Sequence, residues 1–90
     1  MDINDMNLSE KSFDEIKILI RDELNRGETD VVINNCTSKE GEWYYNCGLA
    51  LKNKNKKKAK KCFQTAWEIY DCAGDSGGMR KAQAQLDQLG

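Results

Sequence analysis

The stretch EWYYNCGLALKNKNKKKAKKCFQTAWEIYDCA, residues 42–73, decides the fold. Near its start Trp43, Tyr44, Cys47 and Leu51 recur at helical steps, and Ala59, Cys62, Phe63, Ala66, Trp67 and Tyr70 repeat the pattern further on. Two apolar stripes of this period read as two amphipathic helices. The polar run around Asn53 and Asn55 separates them and reads as a turn, so together they predict an antiparallel helical hairpin. Gly48, Ala50, Ala59 and Ala66 alternate with large aromatics, as helices in close contact require when the ridge of one enters the groove of the other. A glycine inside a helix costs about 1 kcal/mol against alanine. Gly48 is therefore expected to mark a close crossing.

Upstream, Phe13, Ile16, Leu19, Ile20 and Leu24 lie at steps of three and four between Ser12 and Arg26, on one face of a further helix. Either Ser9 or Ser12 can cap it, the latter with Glu15 three residues on as a capping box, and Gly27 follows the end. Thr29 and Asp30 open a shorter segment through Val31, Val32, Ile33 and Cys36. Its β-branched run lowers helix propensity and leaves a strand as the alternative. A lone strand has no evident partner for its backbone, which favours helix. Downstream, residues 74–78 read as a flexible break, and Met79, Ala82, Leu86 and Leu89 as a last amphipathic helix over 78–90 that caps the chain. Residues 1–9 are expected to be a flexible lead-in. The prediction is one all-α domain over residues 1–90 with roughly five helices.

Ninety residues suffice for one small core, which excludes a multidomain enzyme. Hydrophobic residues make up 39% of the chain and charged residues 32%, the balance of a globular domain with a solvated surface. No run approaches the roughly 18 apolar residues of a membrane span, and the acidic start lacks the layout of a secretory leader. These features lead us to expect a cytoplasmic protein with no membrane partner.

Histidine is absent, which removes the usual base near neutral pH and the commonest metal ligand. The four cysteines, Cys36, Cys47, Cys62 and Cys72, are 11, 15 and 10 residues apart, without the closely spaced pairs of a thiolate metal site. Each falls in or beside an apolar helical stretch, so thiols in or near the core are expected, with a disulfide or a metal site as lesser alternatives. Gly74-Asp75-Ser76-Gly77-Gly78 looks like the nucleophile motif of trypsin-like serine proteases, yet that chemistry needs a histidine and two β-barrels. The same glycines follow a helix rather than a strand, which argues against a phosphate loop. Asp14 with Glu15 and Asp22 with Glu23 read as surface charge. No catalytic residue, metal or cofactor is expected.

The hairpin resembles a tetratricopeptide repeat. The residues that carry the likeness are Tyr44-x2-Cys47-Gly48-x2-Leu51, then Ala59-x3-Phe63-x2-Ala66, with Trp43 beside the expected aromatic. Cys47 and Leu51 depart from the family pattern, the turn is one residue short, and the region Asp71 to Gly74 stands where a proline usually ends the second helix. The likeness is close over residues 41–74. It implies a short right-handed array of helical hairpins, about two and a half repeats, that binds a peptide or helix of a partner along its first helices. Such arrays bury their faces only by stacking, so terminal helices or a second copy of the chain would complete the core.

On that footing the face of the first helix that is not used in packing carries Glu42, Tyr45, Leu49, Lys52 and Asn53, the expected partner-binding residues. Tyr and Leu beside Lys and Asn suit a peptide with an acidic flank. The other reading of Tyr45 and Leu49 is burial under a neighbouring helix. The family's carboxylate clamp is not matched, because Tyr45 and Leu49 stand where it needs polar side chains.

The loudest charge signal is the run Lys52 to Lys61, which holds seven of the chain's 14 basic residues. Lys54, Lys56, Lys57, Lys58, Lys60 and Lys61 form a basic cluster suited to an acidic protein or, second, to nucleic acid. Aromatics for base stacking and arginines for phosphate clamping are missing from the run. Its plainest reading is a solvated helix face. The first 30 residues carry nine acids and four bases and the rest six and ten, so opposite halves attract within or between molecules. The expected function is thus a non-catalytic interaction module, an adaptor, chaperone or regulator. A nucleic-acid-binding factor and a self-associating structural subunit are the alternatives.

Overall fold

The computed structural model describes residues 8–26 and 37–89, and all regular structure among them is helical. Helices α1 (Phe13–Arg26), α2 (Ser38–Leu51), α3 (Lys56–Ala73) and α4 (Ser76–Leu89) follow a 3-10 turn at Leu8–Glu10. Among the described residues there are four helices, against an expectation of roughly five for the whole chain. The segment from Gly27 to Cys36, where the further helix or strand was expected, lies outside the described residues, as do residues 1–7 and the side chain of Leu24.

Local chemistry sets each boundary. Ser12 and Glu15 form the expected capping box, the Glu15 N–H donating to Ser12 Oγ and the Ser12 N–H to Glu15 Oε1, both at 3.2 Å. Thr37 is the N-cap of α2, its Oγ1 accepting from the Glu40 N–H at 3.2 Å. Asn55 does the same for α3 through the Lys58 N–H. The turn between α2 and α3 is held by the carbonyl of Leu51, which accepts from the N–H groups of Lys54 and Asn55. Gly74 ends α3 in the left-handed conformation, φ 74°. There the Gly74 N–H donates to the Asp71 carbonyl and the Asp75 N–H to that of Tyr70, a Schellman pattern that stands in for a helix-ending proline.

Residues 74–78 are not a flexible break. Asp75 Oδ1 accepts from the Gly78 N–H at 2.9 Å and caps α4, so Gly77 and Gly78 are already helical. Asp75 Oδ2 accepts from Ser38 Oγ at 2.8 Å and ties the start of α4 to the start of α2. α2 likewise begins earlier than its apolar stripe suggests, which places Gly41 inside it.

The core is the hairpin's inner seam. Tyr44, Cys47 and Leu51 of α2 and Ala59, Cys62, Phe63, Ala66 and Tyr70 of α3 are buried, and Ala82 of α4 packs on the same cluster. Ile16 and Ile20 bring α1 onto it, with the Phe13 ring 6.3 Å from that of Tyr44. Each large apolar side chain so buried contributes about 1.5–3 kcal/mol. Leu8 is only 5% exposed, so the stretch expected to lead in flexibly puts at least this residue into the core.

Glycines set the helix separations. A Cβ on Gly48 would stand 2.6 Å from Phe63 Cε1, inside any van der Waals contact, so the close crossing expected at Gly48 is present. Tyr70 has two such neighbours. A Cβ on Gly41 would stand 2.8 Å from its Cε1, and one on Gly78 would overlap Cδ1 and Cγ. One aromatic side chain of α3 therefore requires a helical glycine on both α2 and α4.

Candidate functional site

The five residues expected to bind a partner divide in the structure. Glu42 and Leu49 are exposed, Leu49 at 40%, while Tyr45 and Lys52 are half-buried. Lys52 and Asn53 lie past the end of α2, in the turn. Their spacing put them on one face, and α4 explains why only some remain open: it packs beside α2 and engages two of them. Lys52 Nζ donates to Gln85 Oε1 and Gln88 Oε1, both at 2.9 Å. Gln85 Nε2 donates to the Tyr45 hydroxyl at 3.4 Å. The Tyr45 ring meets Phe63 edge-on at 5.5 Å, and Lys81 Nζ lies 4.7 Å from its centroid. Partial burial of Tyr45 under a neighbouring helix, the alternative reading, thus accompanies an exposed Leu49.

This seam is built from three helices. α2 contributes Tyr45, with Glu42 and Leu49 on the same face by helical spacing, α4 contributes Lys81, Gln85 and Gln88, and α3 supplies Tyr70 beneath. Tyr70 is 1% exposed, and its hydroxyl has no hydrogen-bond partner. Burial first, then the charges of Glu42 and Asp75, pushes that hydroxyl up to about 12. Sequence reasoning missed Lys81, Gln85, Gln88 and Tyr70. A polar stripe at steps of four and three on α4 was visible, but nothing local says that it faces α2.

The lysine cluster also divides. Lys52 belongs to the seam, and Lys58 is half-buried, beside α1 closely enough for its charge to help hold the Glu15 carboxyl below its usual range, after the two hydrogen bonds from Ser12. Lys54, Lys56, Lys57, Lys60 and Lys61 are exposed around the start of α3. The first turn of α3 holds no acid, although a helix N-terminus carries partial positive charge and favours anions by about 0.3–1 kcal/mol per group. These lysines work against the dipole of the helix they begin.

Burial disfavours the charged forms of the titrating groups inside the fold. Burial pushes Cys62 up to about 12, and burial together with the nearby Cys62 does the same to Cys47. Tyr44 is pushed up to about 12 by burial and then by Glu40. Glu40 is itself raised by burial against the opposing charge of Arg21. Cys47 and Cys62 are buried free thiols, as expected. Cys72 is not: it is exposed and disulfide-bonded. Its position falls off the stripe of Ala66 and Tyr70, so α3 turns it away from the core. Cys36 lies outside the described residues. Among the described residues no three His, Cys, Asp or Glu side chains converge as a metal site, and no helix is long and apolar enough to cross a membrane.

Comparison with family models, with curated proteins and with solved structures finds no match to this chain. The tetratricopeptide likeness accordingly rests on the residues of the hairpin alone.

Proposed function

We propose that the chain is a non-catalytic protein-interaction module, an adaptor, chaperone or regulator of tetratricopeptide-like build, which takes a peptide or helix of a partner along the seam of α2 and α4. The observation that carries this reading is the side-by-side placement of an exposed Leu49 and a half-exposed Tyr45 with the polar groups Lys52, Gln85 and Gln88. Apolar anchors flanked by hydrogen-bonding side chains are the chemistry of peptide recognition. A right-handed stack is the arrangement in which α2 and α4 would be first helices of successive repeats, with about two and a half repeats in all. Thiols held protonated by burial support a role without nucleophilic chemistry. We place the module in the cytoplasm on its two buried free thiols, Cys47 and Cys62, whereas the disulfide at Cys72 is of a kind that persists mainly in oxidising compartments and counts against that setting.

A second reading, binding of nucleic acid or an acidic protein through Lys54, Lys56, Lys57, Lys60 and Lys61, is favoured by their exposure at a helix start that gains nothing from them. A second copy of the chain on the seam is a third. One capture experiment separates them, using wild-type protein, a Leu49→Glu variant and a variant with Lys54, Lys56, Lys57 and Lys60 changed to Gln, each shown folded by circular dichroism. The interaction-module reading expects Leu49→Glu to lose the co-purifying protein and the lysine variant to keep it. Loss in the lysine variant alone, with steep salt dependence, refutes the seam. Release of only the chain itself by Leu49→Glu assigns the seam to self-association.

A further inference from the structure

The seam between α2 and α4 already holds a cation, and it is the chain's own. Lys81 Nζ lies 4.7 Å from the centroid of Tyr45 and 5.6 Å from that of Tyr70, within the range of cation–π attraction to both rings. The surroundings favour positive charge. Glu42 and Asp75 both act on the Tyr70 hydroxyl, and the carboxylate of Asp75 is in turn held low in part by Lys81. The Tyr70 oxygen is buried with both its hydrogen-bonding capacities unused, a costly state that phenylalanine would avoid. Two helical glycines, Gly41 and Gly78, are needed to admit this ring. Lys81 itself is exposed and sits on a flexible stem that can swing away.

We propose that Tyr45, Tyr70 and Glu42 form a subsite for the lysine or arginine side chain of a partner peptide, and that Lys81 is a stand-in which the partner displaces. The inference rests on the interaction-module reading and deepens it. A cation taking the place of Lys81 meets the rings of Tyr45 and Tyr70, with the charges of Glu42 and Asp75 acting nearby at the Tyr70 hydroxyl. The other end of the seam has the opposite charge. Lys52, the residue that caps the end of α2, lies ten residues beyond Glu42, about 15 Å at 1.5 Å per residue. An extended peptide covers that distance in roughly four or five residues. The partner segment therefore pairs a basic side chain with an acidic one at that spacing.

The probe is the peptide acetyl-Gly-Lys-Gly-Gly-Gly-Glu-Gly-amide, with a norleucine-for-lysine version and free n-butylammonium as controls, followed through the ring resonances of Tyr45 and Tyr70 in the full chain. Lys81→Met, with Lys81→Gln as a second variant, is expected to bind the lysine peptide about tenfold more tightly than wild type. Adding Glu42→Gln should return several-fold of that gain. No tightening in either variant, or equal tightening of the norleucine peptide, overturns the subsite. Equal affinity for n-butylammonium and the lysine peptide overturns the peptide as its ligand. If Leu49→Glu abolishes partner capture while no probe responds to Lys81→Met, the module reading stands and the cation subsite falls. If the probe responds while Leu49→Glu leaves capture intact, the subsite stands and the module reading falls.

Discussion

Replacing Gly48 with alanine tests the seam on which the fold depends. In an isolated helix the change would stabilise by about 1 kcal/mol. In this protein the new methyl would meet Phe63 Cε1 at 2.6 Å and Cδ1 and Cζ at 2.8 Å, so the ring must retreat by about 1 Å to reach ordinary contact. Phe63 is 0% exposed and has the Tyr45 ring against it, which leaves no free space to retreat into. Overpacking of this kind costs about 1–3 kcal/mol, so the net expectation is a loss of about 1 kcal/mol, or about 4–8 °C in Tm for a chain of this size. Changing Phe63 to leucine removes the ring that the methyl strikes. In a double-mutant cycle read by urea denaturation of Trp43 and Trp67 fluorescence, Gly48→Ala should be far less damaging, or even stabilising, in the leucine background, with a coupling of about 2 kcal/mol. Gly48→Ala that stabilises the wild-type background by its full helix-propensity gain would refute the close crossing.

Two further outcomes follow from the titrating groups. The hydrogen bonds from the Gly78 N–H and the Ser38 hydroxyl hold the Asp75 carboxyl below its ordinary 3.8, so its contribution is complete above that value and is lost as pH falls through the lowered folded-state value; Asp75→Asn, which can still cap α4, should therefore show a shallower loss of Tm than wild type between pH 5 and pH 2. Cys47 and Cys62, pushed up to about 12, carry a thiolate fraction on the order of 10⁻⁴ at pH 8, so mass spectrometry after iodoacetamide treatment should find both unmodified in native protein and both alkylated in urea, and native labelling would contradict their burial.

What the chain determines locally could be read from it directly. The Ser12–Glu15 box, the two stripes of the hairpin and the turn at Asn55 each depend on residues within a few positions of one another, so periodicity and capping chemistry were enough to place α1, α2 and α3. Gly48 was legible for the same reason, since a helical glycine between aromatics has few other uses. Gly41 and Gly78 were not. Gly78 read only as part of the break at 74–78 and Gly41 carried no signal of its own, and the purpose of both lies in Tyr70 of another helix. The seam divides along the same line. Tyr45 and Leu49 could be placed on the free face of α2 by counting, but Lys81, Gln85 and Gln88 join them only because α4 crosses beside α2 at a distance fixed by side-chain packing. Helix period and caps are properties of neighbours in sequence. Which polar faces meet, and which buried hydroxyl is left without a partner, are properties of neighbours in space, and those were decided by how the Tyr70 and Phe63 rings fit against glycine.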